Sequence, residues 1–181
     1  MEFITQLDRS TLEVLYAVRD PFLVQILIWV SELGRVPTIA GLTCIVVLIL
    51  FLKRHYAYAA GLAVSVAASG IAIFLAKGFI ERVRPGEFYQ AYTETWYSFP
   101  SAHAALAVAL YGFLMYITWH TVQSPLKRCL LVSIGALIIG AVAFSRLYLG
   151  VHFLSDVVAG LLLGTSCVWL GVRWSAFAHK V

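Results

Sequence analysis

The stretch SRLYLGVHFLSD, residues 145–156, places an arginine, a histidine and an aspartate inside a long apolar region. His152 and Asp156 are four residues apart. On a helix that spacing puts both on one face, where the carboxylate can accept a hydrogen bond from one ring nitrogen. The tautomer is then fixed and the other nitrogen is left electron-rich, as in an oriented base or nucleophile. Two further cations, Lys77 and Arg84, sit at the end of an earlier apolar segment, and Arg146 ends a later one. His103 lies at the start of a fourth segment, just after Pro100, Ser101 and Ala102. Glu81 lies one turn from Lys77 and can pair with it, but it cannot neutralise three cations. A site left positive calls for an anion, and a phosphate matches both the charge and the planar guanidinium fork. Pro-Ser ahead of a helical run marks a helix start, whose free amides and dipole favour the same anion. Taken singly, each residue has a plainer reading: a terminal Arg or Lys snorkels to the interface, and a histidine at a helix start is solvated.

The elements that must bring these residues together are membrane helices. The chain has 181 residues, of which 61% are hydrophobic and 12% charged. A soluble domain of this size exposes too much surface to hide so many apolar side chains. The expected fold is a single all-α domain over 1–181, a polytopic membrane bundle of about six transmembrane helices, with 1–19 as an amphipathic lead-in at the interface. The apolar segments run about 21–33, 36–52, 56–77, 102–119, 128–145 and 152–173, and the first is short for a full crossing. Glu2, Asp8, Glu13 and Asp20 interrupt any clean apolar leader, so no removable signal peptide is expected. In an alternating bundle the ends of segments three and five and the starts of four and six share one face. Lys77, Arg84, His103, Arg146, His152 and Asp156 therefore converge, and ionisable groups at such depth face a protein interior or a wet cavity.

Net charge is +4. The basic residues cluster in short loops, which points to membrane orientation and anionic lipid rather than to nucleic acid. Lys53, Arg54, Lys127, Arg128, Arg173 and Lys180, taken with Arg9 and Arg19, define a cytoplasmic face and leave Arg35, Lys77, Arg82, Arg84 and Arg146 opposite. The loop 78–101 carries Phe88, Tyr89, Tyr92, Trp96, Tyr97 and Phe99. These aromatics read as an interfacial anchor, as a lip over a site open to lipid, or as both. Glu81, Glu87 and Glu94 in this loop read either as tuning substrate choice or as solvating the loop, and solvation is the favoured reading. Cys44, Cys129 and Cys167 match no metal or redox spacing and read as small packing residues.

Three blocks, Lys77-x6-Arg84-Pro85, Pro100-Ser101-Ala102-His103 and Ser145-Arg146-x5-His152-x3-Asp156, resemble the three-part signature of the type 2 phosphatidic acid phosphatase (PAP2) superfamily. One position departs from it: Ala102 stands where the family usually has glycine. Alanine keeps the backbone N–H but loses easy access to positive φ, which is harmless if the position only starts a helix. The resemblance implies that His152 is the nucleophile forming a phosphohistidine, that Asp156 orients it, and that His103 is the general acid and then base. Lys77, Arg84, Ser101, Ala102 and Arg146 would hold the phosphate oxygens, with no metal and no cofactor. The substrate class implied is a lipid phosphate or pyrophosphate, at an extracytoplasmic site in a bacterial inner membrane. A polyprenyl pyrophosphate such as undecaprenyl pyrophosphate is favoured by chain size and analogy, with phosphatidylglycerophosphate, phosphatidic acid and lipid A phosphates open. Lipid-to-lipid phosphotransfer and non-catalytic lipid-phosphate binding or transport are the competing functions.

Overall fold

A computed structural model describes residues 2–178; Lys180, assigned above to the basic tail, lies outside them. Among the described residues seven long helices follow one another: α1 (Glu2–Ala17), α2 (Pro21–Glu32), α3 (Val36–Leu52), α4 (Tyr56–Ile80), α5 (Ala102–Thr121), α6 (Pro125–Tyr148) and α7 (Leu154–Ala178), with a short 3-10 turn at Glu87–Tyr89 in the loop after α4. Starts follow local chemistry. Asp20 caps α2, its Oδ1 accepting from the Leu23 amide at 2.9 Å, and Ser124 caps α6 ahead of Pro125.

Among the described residues four helices, α4 to α7, are long and apolar enough to cross a membrane, and α2 with α3 passes as a fifth only if the pair counts as one bent span. The expectation of about six spans is not confirmed; four to five are supported among the described residues. At 1.5 Å per residue α2 covers about 18 Å and α3 about 25 Å, each short of a core about 30 Å thick. The two meet at a 43° bend around Leu33–Arg35. Side chains such as Phe79, Leu137 and Leu162 point outward, as lipid-facing residues do.

α5 is the central helix, and its small residues make that possible. Ala104, Ala105, Ala107 and Ala109 are fully buried. A Cβ at Gly160 would come within 2.6 Å of the Ser101 carbonyl, and one at Gly164 within 2.5 Å of the Ala105 carbonyl. α7 thus presses backbone to backbone against α5, as small residues allow between membrane helices. Midway along α5 one turn opens into a π-helix at Val108–Gly112, and buried Ser65 of α4 donates to the Ala109 carbonyl at 2.9 Å.

α1 packs where the sequence does not place it. It buries Asp8 and Leu12 and reaches the start of α7, while Arg19 donates to the Tyr148 carbonyl at the end of α6 (2.8 Å). Arg9 and Arg19 therefore lie on the face that holds the chemical residues, not with the loops at 53–55 and 126–128. Counted as one bent span, α2 and α3 put the start of the chain on the side that holds the site. Of the cysteines, Cys167 is a buried packing residue as expected, whereas Cys44 and Cys129 are exposed.

Candidate active site

The turn between α6 and α7 sets His152. Gly150 adopts φ +67°, and a Cβ there would collide with the Tyr89 carbonyl. Only glycine takes this conformation at no steric cost, and here it also lets the 78–101 loop pass close by. His152 lies in the turn, not on α7, so the expected one-face helical pairing with Asp156 does not occur. Instead Asp156, in the first turn of α7, reaches back. Its Oδ2 accepts from the Phe153 amide at 2.9 Å and stands 3.5 Å from His152 Nδ1. That separation is longer than a well-formed hydrogen bond, a common state of catalytic pairs without substrate. His152 Nε2 lies 3.3 Å from Arg84 Nη1. A guanidinium can only donate, so Nε2 is the acceptor and the ring proton belongs on Nδ1, toward Asp156. Burial, reinforced by Arg146, Arg84 and Lys77, holds His152 well below the ordinary histidine range, so the ring is neutral.

The three expected cations are all present at this end, each held differently. The Lys77 ammonium donates to the Tyr97 carbonyl and lies 5.8 Å from the Trp96 ring centroid. Glu81 is not its partner among the described residues; it ends α4 in a left-handed conformation at φ +47°. Arg84 donates to the carbonyls of Val151 (2.8 Å), Trp96 (3.0 Å) and Thr95 (3.2 Å). Arg146 is fully buried, bonding Ser31 Oγ and the Tyr92 hydroxyl, each at 2.5 Å. Its Nη2 meets Glu94 Oε1 at 2.5 Å, and Glu94 Oε2 is 3.8 Å from Arg84. The reading of Glu94 as a solvating loop residue is corrected: it is an acid paired with the cation cluster. Burial pushes its carboxyl up, but Arg146 and Arg84 outweigh this and bring it below the ordinary range.

His103 and Ala102 open α5 and line the same cavity as His152. Ala102 is the first helical residue and has no positive φ, so the alanine meets no backbone strain. Ser101 sits just behind, fully buried. Its amide donates to the Asp156 carbonyl at 3.0 Å, so that N–H is not free for an anion as expected, and its Oγ has no partner. The amides of Ala102 and His103 lie in the first turn, where helix geometry provides no acceptor.

The cavity measures about 440 Å³. Lys77, Arg84, Glu94, His103 and His152 form one end, and Val36, Ile39, Val66, Ile73, Phe74 and Leu106 continue it as an apolar groove among α3, α4 and α5. Trp96, held at φ +71°, lines it from the loop, while Phe88 points outward and is 73% exposed. The loop aromatics are thus divided between lining the site and facing outward.

A neutral, oriented histidine beside clustered cations at the head of an apolar groove is an arrangement suited to phosphate-ester chemistry on a lipid-like molecule. The PAP2 superfamily profile matches residues 58–180. The chain belongs to this superfamily and is a phosphatase of that class. Among characterised relatives it is 28% identical over 158 residues to phosphatidylglycerophosphatase B of Bacillus subtilis, covering 87% of this chain and 77% of that one. It is 34% identical over 86 residues to the putative undecaprenyl-diphosphatase YbjG of Escherichia coli, covering 46% of this chain and 38% of that protein. The crystal structure of a transmembrane PAP2-type phosphatidylglycerolphosphate phosphatase from Bacillus subtilis superposes with a TM-score of 0.86 at 25% identity, over 100% of this chain and 89% of that one.

The contacts of four residues that touch the site escape sequence reasoning, those of Ser31, Tyr92, Glu94 and Arg82; of these, only Tyr92 is placed near a site by the sequence, as one of the lip aromatics. Arg82 donates to Asp156 Oδ1 at 2.5 Å. Its place two residues before Arg84 was a usable signal; the other three come from segments 52 or more residues away from Arg146.

Proposed function

We propose that the protein is a metal-independent phosphatase of a membrane lipid phosphate or pyrophosphate, working through a phosphohistidine at His152. The observation that carries this is the neutral His152 with Nε2 toward the cation-lined cavity and Nδ1 toward Asp156. Nε2 attacks phosphorus, the bond to the lipid oxygen breaks, and His103 gives that oxygen its proton. Water then attacks the phosphohistidine, His103 takes the water proton, and inorganic phosphate leaves with His152 restored. Lys77, Arg84 and Arg146 stabilise the charge on the transferring group, with Ser101 Oγ and the first-turn amides of Ala102 and His103 supporting it. Glu94 occupies Arg146 when no substrate is bound, so an arriving phosphate shares or displaces that carboxylate.

The apolar groove supports a lipid tail entering among α3, α4 and α5. The relative that spans most of this chain supports phosphatidylglycerophosphate as substrate. The shorter match to YbjG supports undecaprenyl pyrophosphate, which chain size also favours. Exposed, unpaired basic residues Lys53, Arg54 and Lys127 support a cytoplasmic side opposite the site, hence an extracytoplasmic site in a bacterial inner membrane.

The test is phosphate release in detergent from both lipids, in EDTA, beside His152→Ala. Release by the native protein and a loss of about 10⁴-fold or more in the variant are expected. Release that needs added divalent metal, or that survives in His152→Ala, contradicts the reading.

A further inference from the structure

Asp8 lies on α1, a helix that is otherwise largely exposed, yet only 3% of its surface is accessible. A carboxylate withdrawn from water must be paired and hydrogen-bonded. Asp8 is: Oδ1 accepts from the Ser155 amide (2.8 Å), and Oδ2 accepts from Ser155 Oγ (2.6 Å) and Arg82 Nη2 (2.7 Å). Arg82 in turn donates through Nη1 to Ser155 Oγ (2.7 Å) and Asp156 Oδ1 (2.5 Å), with its guanidinium carbon 4.4 Å from the Phe153 ring centroid. Asp156 is thereby fixed at both oxygens, Oδ1 by Arg82 and Oδ2 by the Phe153 amide, leaving Oδ2 aimed at His152 Nδ1.

We propose that Asp8 and Arg82 are positioning residues that set the Asp156–His152 pair, making the N-terminal helix a working part of the active site. This rests on the reading of His152 as nucleophile. The chemistry requires an arginine, because only a planar fork can bridge two carboxylates and hold both in one plane. It also requires the second acid. Without Asp8 the full charge of Arg82 falls on Asp156 and weakens that carboxylate's hold on the Nδ1 proton, so Nε2 becomes a poorer nucleophile. A helix that merely stapled α7 in place could do so with an apolar residue, of the kind α1 buries at Leu12 one turn on.

The full chain is assayed in detergent with phosphatidylglycerophosphate or undecaprenyl pyrophosphate, whichever it hydrolyses faster. Asp8→Asn, which keeps the shape, is expected to lower kcat about tenfold with KM and vanadate affinity changed less than about threefold. Arg82→Ala is expected to lose about 10–100-fold in kcat and to regain part of it with ethylguanidinium, which can enter the cavity of about 380 Å³ beside Arg82. Leu12→Ala serves as the docking control, expected to lower the thermal midpoint while keeping kcat. The proposal is overturned if Asp8→Asn keeps wild-type kcat while His152→Ala is dead. It is equally overturned if Leu12→Ala loses as much kcat as Asp8→Asn and ethylguanidinium rescues nothing, since α1 is then only a staple. An active His152→Ala instead contradicts the underlying reading.

Discussion

Arg146 and Glu94 face each other at 2.5 Å inside the protein, so in the proposed mechanism this ion pair competes with the substrate phosphate. Replacing Glu94 with glutamine keeps the shape and removes the negative charge that the Arg cluster would otherwise share with an oxyanion. Vanadate is expected to bind Glu94→Gln about tenfold more tightly, a gain of about 1.4 kcal/mol read by competition against turnover. Unchanged or weaker vanadate binding would mean that Glu94 supports the anion site rather than competing for it. The cations, His103, His152 and Asp156 are legible in the sequence because their spacing places them at the ends of apolar segments. Glu94 is not, because nothing local distinguishes it from Glu87 and its partner lies 52 residues on. Ser101 shows the opposite limit: its type and position were legible, but the use of its amide by the Asp156 carbonyl depends on how α7 docks.

At the scale of the elements, the turn joining α6 and α7 does more than return the chain. It takes His152 off the helix, turns it toward Arg84, and brings the 78–101 loop over the site, where the Ala91 amide donates to the Leu149 carbonyl at 2.9 Å. Gly150 makes this possible. Gly150→Ala is expected to destabilise the protein by about 2 kcal/mol or more, from left-handed strain plus the collision with Tyr89, and to lower activity with it. Thermal unfolding in detergent checks this, and a wild-type midpoint with full activity would show that the turn has other ways to close. The sequence places glycine at a tight return here, but the i, i+4 pattern of His152 and Asp156 also suggests a continuous helix. The turn overrides that pattern. The approximate bounds of α4 to α7 follow from hydropathy, with Ser124 capping α6, whereas α2 and α3 read as two spans because each is apolar and only their geometry shows a shared bend.

For the whole molecule, the bent pair decides on which side the chain begins, and so brings α1 to the active end. Arg9 and Arg35 remain exposed there, each beside an acid three or four residues away, Glu13 and Glu32 respectively. The other basic residues at that end are engaged in the site or its frame. The charge asymmetry that indicates orientation is therefore carried by free side chains rather than by a count over all thirteen. Bundle architecture and site location are legible from composition and segment order; the role of α1 is not, because an amphipathic helix with a few charges looks the same whether it floats at an interface or docks through one buried aspartate. The central claim is that phosphate passes through His152, and trapping the intermediate tests it most directly. Rapid acid-free quenching of wild-type protein with labelled lipid phosphate should yield a base-stable, acid-labile adduct on His152 that is absent from His152→Ala. Turnover at the wild-type rate with no adduct at His152, or with the label on another residue, would contradict the account.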